Sequence, residues 1–265
     1  MFIDIAGTGV ATANIISAND SFIIVENSGA ALSVLNLTGS GTLGIQGALP
    51  DSVTTINGTN STANLTVTSG AGDDTITGGT GNDSITLTGG TNNVTGGDGN
   101  DTIILSTGND TVNTGSGDDN VTAAAGTNNI TTGTNNDQIT LTGGTNTVNT
   151  GDNNDVVNSS GGDSNITTES GNDQVTLSGS GTNTVNTGSN NDVVNASAGN
   201  NNITTESGSD QVTLSGGTNT VNTGSNGDTI NVSGGVNNIT TADGGDQVTL
   251  TGGTNTVDTG SSGDT

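Results

Sequence analysis

The chain has 265 residues and sets 26 Asp and Glu against no Lys, Arg or His, a formal charge of −26. It therefore offers no basic patch to nucleic acid or an anionic membrane surface, and no imidazole, thiolate, ammonium or guanidinium to catalysis. With no Cys, 26% hydrophobic and 1% aromatic residues, it has no disulfides, no thiolate metal site and no thick conventional core; composition alone reads as disordered.

Residues 1–68 are the most apolar part. Ile23, Val25, Val34, Leu35, Leu37, Leu43, Ile45, Val53, Ile56, Leu65 and Val67 alternate locally with polar residues. This predicts short strands separated by Gly, Ser and Asn turns, with Pro50-Asp51 marking one turn. The expectation is a β-rich cap or irregular solenoid sealing the first regular coil, with a separate interaction domain as the alternative. Residues 1–20 carry no positive n-region, so no signal peptide is expected. No run approaches the roughly 20 apolar residues of a transmembrane helix.

Residues 69–265 can be written in nines. Gly78-Gly79-Thr80-Gly81-Asn82-Asp83-Ser84-Ile85-Thr86 and Gly96-Gly97-Asp98-Gly99-Asn100-Asp101-Thr102-Ile103-Ile104 both fit G-G-x-G-x-D-x-U-x, with U apolar. From Ile76 to Val257 the eighth position is always Val or Ile, with one extra residue near Ser180. Gly and Asn tolerate the positive φ of a tight turn. Val, Ile and Thr favour extended backbone. Strands this short gain stability by stacking. Two nonapeptide units make one coil, which gives two parallel sheets with turns along two edges. At about 4.8 Å per coil, roughly eleven coils would make a rod on the order of 50 Å long.

These units resemble the RTX family, the haemolysin-type calcium-binding repeats that fold as a parallel β-roll. The resemblance covers residues 69–265. It implies an all-β parallel β-roll that binds Ca²⁺ between successive turns. The ligands it implies are the sixth-position Asp and the main-chain carbonyls of positions one and three. Leu37 to Thr75 also resembles the segment leading into RTX repeats in bacterial S-layer proteins.

The sixth position separates alternate units. Even units carry Asp83, Asp101, Asp119, Asp137, Asp155, Asp173, Asp192, Asp210, Asp228, Asp246 and Asp264. Odd units carry Asp74, Asn92, Asp110, Asn128, Asn146, Ser164, Asn183, Asn201, Asn219, Asn237 and Asn255. In a two-unit coil these sets lie on opposite edges. Carboxylates one coil apart repel by about 0.8 kcal/mol in water and roughly 3.5 kcal/mol at an effective dielectric of 20. A divalent cation between rungs removes that repulsion, and all-oxygen ligands suit Ca²⁺. Amides instead hydrogen-bond along a ladder. The expectation is one calcium-loaded Asp edge and one largely metal-free Asn edge, with Asp74 and Asp110 as further ligands on the latter. Asp serving only as a turn cap on an acidic surface is the alternative.

A longer period overlies the nine. Near-copies begin at Leu141, Leu177, Leu214 and Leu250, a two-coil spacing that looks like duplication. Leu87, Leu105 and these four Leu point inward by strand alternation, as do Thr150 and Thr187 of the even units. Glu169 and Glu206 lie on the Asp edge, as solvated acids or as added ligands. Asn129, Asn165, Asn202 and Asn238 are sequons at one point of the longer period, expected by chance in so Asn- and Thr-rich a chain. No carboxylate pair is marked out, so catalysis is not expected. Outward Thr rows on a flat solenoid point to ice binding, but Thr147/Asn149, Asn165/Thr167 and Thr184/Asn186 alternate and break a continuous Thr lattice.

The functional expectation is an extracellular calcium-binding structural protein, a self-assembling bacterial surface-layer, filament or matrix component. The alternative is a calcium-folded spacer in a larger RTX adhesin, toxin or exoenzyme. Expected partners are further copies of the chain at the solenoid ends, where Phe2-Ile3-Asp4-Ile5 could add a strand, and a cell-surface glycan or anchor. The resemblance implies type I secretion through a C-terminal signal; none is visible before Thr265.

Overall fold

A computed structural model describes residues 2–4, 9–26 and 31–265, and for 2–4 the backbone only. The fold is a parallel β-solenoid, with no helix among the described residues. The chain forms two compact units, Met1–Gly133 and Thr134–Thr265.

In the first unit one sheet runs Phe2–Asp4, Ser21–Glu26, Leu43–Ala48, Leu65–Thr68, Ser84–Thr86, Thr102–Leu105 and Asn120–Ala123. The facing sheet runs Thr12–Ser17, Val34–Gly39, Thr55–Asn57, Thr75–Gly79, Asn93–Asp98 and Thr111–Ser116. In the second unit one sheet extends from Gln138–Leu141 to Gln247–Leu250, and the other from Thr145–Asp152 to Thr254–Asp258. Consecutive strands belong to opposite sheets, so each coil crosses the core twice.

The N-terminal strands stack on the same ladders as the repeats. Thr12 faces Val34, Val34 faces Thr55, Thr55 faces Thr75 and Thr75 faces Asn93. Each of these spacings is shorter than the one before, until the coil reaches the length of two nonapeptides. Phe2, Ile3 and Asp4 pair with Ile24, Val25 and Glu26; Ile5 lies outside the described residues.

The core is one ladder thick. Every eighth-position Val or Ile from Ile76 to Ile239 is at most 1% exposed. Leu87, Leu105, Leu141, Leu177 and Leu214 bury beside them on one sheet, and Thr114, Thr132, Thr150, Thr168, Thr187, Thr205, Thr223 and Thr241 on the other. Fully burying each Val or Ile stabilises by about 1.5–3 kcal/mol. With so few per coil, main-chain ladders and the edge turns must also hold the stack.

Those turns need left-handed backbone. Gly97 has φ +127, and a Cβ there would collide with Gly79 O. Glu169 and Glu206 occupy the equivalent point at φ 66 and 62, each a strain on the order of 1 kcal/mol or more. The extra residue falls between Leu177 and Asn183. Ser159 pairs Leu177 at the regular coil spacing, whereas Ser164 pairs Asn183 one position beyond it. That is an Asn-edge turn. Deleting Ser180 should leave the calcium-dependent β signal in circular dichroism intact. A Gly inserted after Ser170, in the Asp-edge turn, should lower the melting temperature in calcium.

Candidate metal centre

Position six opens each inward-facing strand, so alternation turns its side chain into the edge of the core. Asp83, Asp101, Asp119, Asp137, Asp155, Asp173, Asp192, Asp210, Asp228 and Asp246 are all 1–2% exposed. In the first unit the Leu65 N–H donates to Asp83 Oδ1 (2.7 Å), Asp83 N–H to Asp101 Oδ1 (2.8 Å) and Asp101 N–H to Asp119 Oδ1 (2.7 Å). The second unit repeats this from Asp137 N–H onto Asp155 Oδ1 (2.8 Å) through Asp246 N–H onto Asp264 Oδ1 (3.2 Å). One carboxylate oxygen per rung is thereby tied to the coil before it.

The other oxygen is not. Oδ2 of Asp83, Asp101, Asp155, Asp173, Asp192, Asp210, Asp228 and Asp246 is buried and takes no hydrogen bond. Leaving ionised oxygen buried without a partner costs several kcal/mol. The space it faces contains more acceptor. A Cβ at Gly78 would collide with Asp83 Oδ2 and stand 2.6 Å from Gly96 O; one at Gly96 would collide with Asp101 Oδ2 and stand 2.8 Å from Thr114 O. Carboxylate and position-one carbonyl of the next coil thus share one small space, where two acceptors need a cation. Among the described residues no three His, Cys, Asp or Glu converge, so any metal relies on carbonyls to complete its shell. Oxygen donors alone suit Ca²⁺.

Burial dominates the electrostatics. It pushes Asp101 up to about 8, aided by the Asp83 and Asp119 charges and opposed by the Asp83 N–H. Burial likewise raises Asp192 to about 7 and Asp83, Asp155 and Asp228 to about 6. Asp119, Asp173 and Asp210 also shift upward, with burial again the leading cause. Threonine hydroxyls five residues earlier, Thr168, Thr187, Thr205 and Thr223, pull partly against this. Thr168 and Thr205 spend their hydroxyls on the Thr187 and Thr223 carbonyls of the next coil. Strand alternation places these Thr in the core but gives no sign that they stand beside the carboxylates.

The opposite edge is closed by its own donors. Asn183, Asn201, Asn219 and Asn237 donate Nδ2 to Oδ1 of the next Asn at 2.7–2.9 Å. Asn201, Asn219 and Asn237 also donate Nδ2 to the carbonyl three residues back, Ala198, Gly216 and Gly234, at 2.9–3.0 Å. The amide sits where position-three carbonyl and next-rung oxygen meet. Ser164 breaks the row and shares a 3.0 Å contact with Ser159 Oγ. Asp110 accepts the Asn92 N–H and Nδ2 on Oδ1 and leaves Oδ2 buried without a bond. Asp74 has neither oxygen bonded.

Glu169 and Glu206 stay exposed and accept Nδ2 of Asn149 (2.6 Å) and Asn186 (2.7 Å). On the sheet face Thr147, Asn165, Thr184, Asn202, Thr220, Asn238 and Thr256 stand in one row, alternating at every coil.

The RTX calcium-binding nonapeptide repeat matches at residues 68–103, 86–121, 95–130, 104–139, 122–157, 149–179 and 177–212. No curated protein sequence matches the chain. The chain is similar in fold to the crystal structure of a hyperactive, Ca²⁺-dependent, beta-helical antifreeze protein from an Antarctic bacterium, at 22% identity and a TM-score of 0.66, covering 93% of this chain and 86% of that one.

Raised carboxyl pKa values mean that the metal-free fold holds protons that the unfolded chain, near 4, has released. Its stability is therefore greatest below about 4 and is lost as pH climbs through 6 to 8. In chelator, the β signal should be larger at pH 5 than at pH 8. With calcium saturating, the difference should vanish, and binding at neutral pH should release protons.

Proposed function

Because this chain belongs to the RTX calcium-binding nonapeptide repeat family, we propose that it is a calcium-folded structural protein of the cell exterior, loaded with metal along one edge. Asp83, Asp101, Asp119, Asp137, Asp155, Asp173, Asp192, Asp210, Asp228 and Asp246 would hold the ions, each with position-one carbonyls of the neighbouring coil. One observation carries this reading. Buried Oδ2 atoms without hydrogen bonds recur along the Asp edge, while Asn amides fill the corresponding space opposite. Calcium acts here as a folding ligand, and no catalytic role is assigned.

Binding energy becomes folding energy in such a chain. Without metal, −26 charges expand it. That suits passage through a low-calcium cytosol and folding outside, by type I secretion. Among the described residues no helix is long and apolar enough to cross a membrane.

The finer role is a surface-layer, filament or matrix component, associating with copies of itself or with a cell-surface glycan. Its support is repetition. Each strand Gln174–Leu177, Gln211–Leu214 and Gln247–Leu250 has the same sequence, and nothing singles out one coil as a reaction site. A spacer module in a larger secreted protein shares this support.

Light scattering separates the two. Concentration-dependent growth in calcium, reversed by chelator, is expected of an assembling component. A monomer at every concentration would leave the spacer.

A further inference from the structure

The acidic residues of the second unit are not spread evenly over its surface. The sheet that runs from Gln138–Leu141 to Gln247–Leu250 has no Asp or Glu in any of its strands. The Asp that precedes each of these strands is buried and turned into the edge. In a chain of charge −26, one face of this unit is therefore uncharged. The facing sheet differs. Its strands carry Asp152, Asp163 and Asp258, and Glu169 and Glu206 reach it to accept Nδ2 of Asn149 and Asn186.

The uncharged face is also corrugated. Gln138, Gln174, Gln211 and Gln247 are exposed and stand at alternate coils of one row. Val156, Val193 and Thr229 fill the coils between; they are shorter and half-buried. Two residues on, a second outward row carries Asn158, Asn195 and Asn231 at the coils of the short residues, and Thr at the Gln coils. An open hollow bounded by Thr213, Asn231 and Thr249 lies on that row. The relief repeats every second coil, about 9.6 Å. A ridge bearing an amide alternates with a trough of Val or Thr that has an Asn beside it. Such a surface is complementary to itself after a shift of one coil.

We propose that this face docks onto the same face of a second copy, running in the opposite direction, with Gln ridges seated in Val and Thr troughs. It rests on the self-association proposed above and names the surface responsible. A two-fold axis along the strands, between the coils of Gln174 and Val193, places Gln174 over the second copy's Val193. The same operation places Gln211 over its Val156 and Gln138 over its Thr229, a closed, isologous pairing. Gln methylenes then cover the trough floors, and Gln amides meet Asn amides of the adjoining row, donor to acceptor. Absence of charge selects a second copy as the occupant: two such faces meet without the repulsion that −26 charges impose on other approaches. The strands cover about 30 Å by about 13 Å, which is small for a stable interface. Pairing therefore needs a high local concentration, and calcium on the Asp edge to lower the remaining charge.

Light scattering of the full chain in saturating calcium, read as the concentration at half-association, tests this. Circular dichroism checks that each variant keeps its β signal. Gln174→Glu with Gln211→Glu sets charge into the second copy's troughs and should raise that concentration by about ten-fold or more. Val156→Gln with Val193→Gln fills the troughs without adding charge and should raise it several-fold. Thr184→Glu with Thr220→Glu adds the same charge to the exposed side of the facing sheet and should leave it unchanged. Either variant of the Gln face associating like the wild type, or the Thr pair weakened as much as the Gln pair, would overturn this face and leave self-association standing. A wild type that stays monomeric at every concentration would overturn the face and the self-association together.

Discussion

A carboxylate buried at each rung of the Asp edge from Asp83 to Asp246 is the constraint on which the rest of this structure depends. One oxygen of each Asp is held by the N–H of the coil before, as at Asp192 and Asp210. The other, at these two rungs and at most of the rest, takes no hydrogen bond. Stacking therefore brings like charges to about one coil spacing in a desolvated edge, a repulsion of roughly 3.5 kcal/mol per neighbour at an effective dielectric of 20. The thin Val/Ile ladder cannot comfortably absorb that at each step. Charge must be neutralised by proton or by cation, and once pH climbs past these raised carboxyls, up to about 8 at Asp101, the available agent is calcium.

The opposite edge answers the same geometric problem without charge. There an amide replaces the carboxylate, and its Nδ2 donates to the two oxygens a cation would otherwise bridge, as Asn219 does to Gly216 O and Asn237 Oδ1. The edges then differ in what they tolerate. Ser164 and an extra residue before Thr182 both fall on the amide edge. Five residues always separate Thr168, Thr187, Thr205 and Thr223 from their Asp on the other. A metal shell assembled from two coils fixes turn length more tightly than a row of amides.

Much of this was legible in the chain itself. The eighth-position Val and Ile give strand, spacing and core together, because burial on one face needs a strict period. The Asp/Asn split of position six gave the two edges. The N-terminal coils were harder, since spacings that shrink from coil to coil conceal a shared ladder that only pairing such as Thr55 with Thr75 reveals. The left-handed backbone of Glu169 and Glu206 was partly readable, because Gly occupies that place in neighbouring coils such as Gly188 and Gly224.

The most direct test is calcium stoichiometry by calorimetry, with circular dichroism followed through the same titration. Eleven Asp rungs on one edge predict about ten ions, one per gap, and a coil-to-β transition that tracks their binding. About twenty ions would mean that the Asn edge binds metal too. A β signal indifferent to chelator at neutral pH would contradict the claim that calcium holds the stack together.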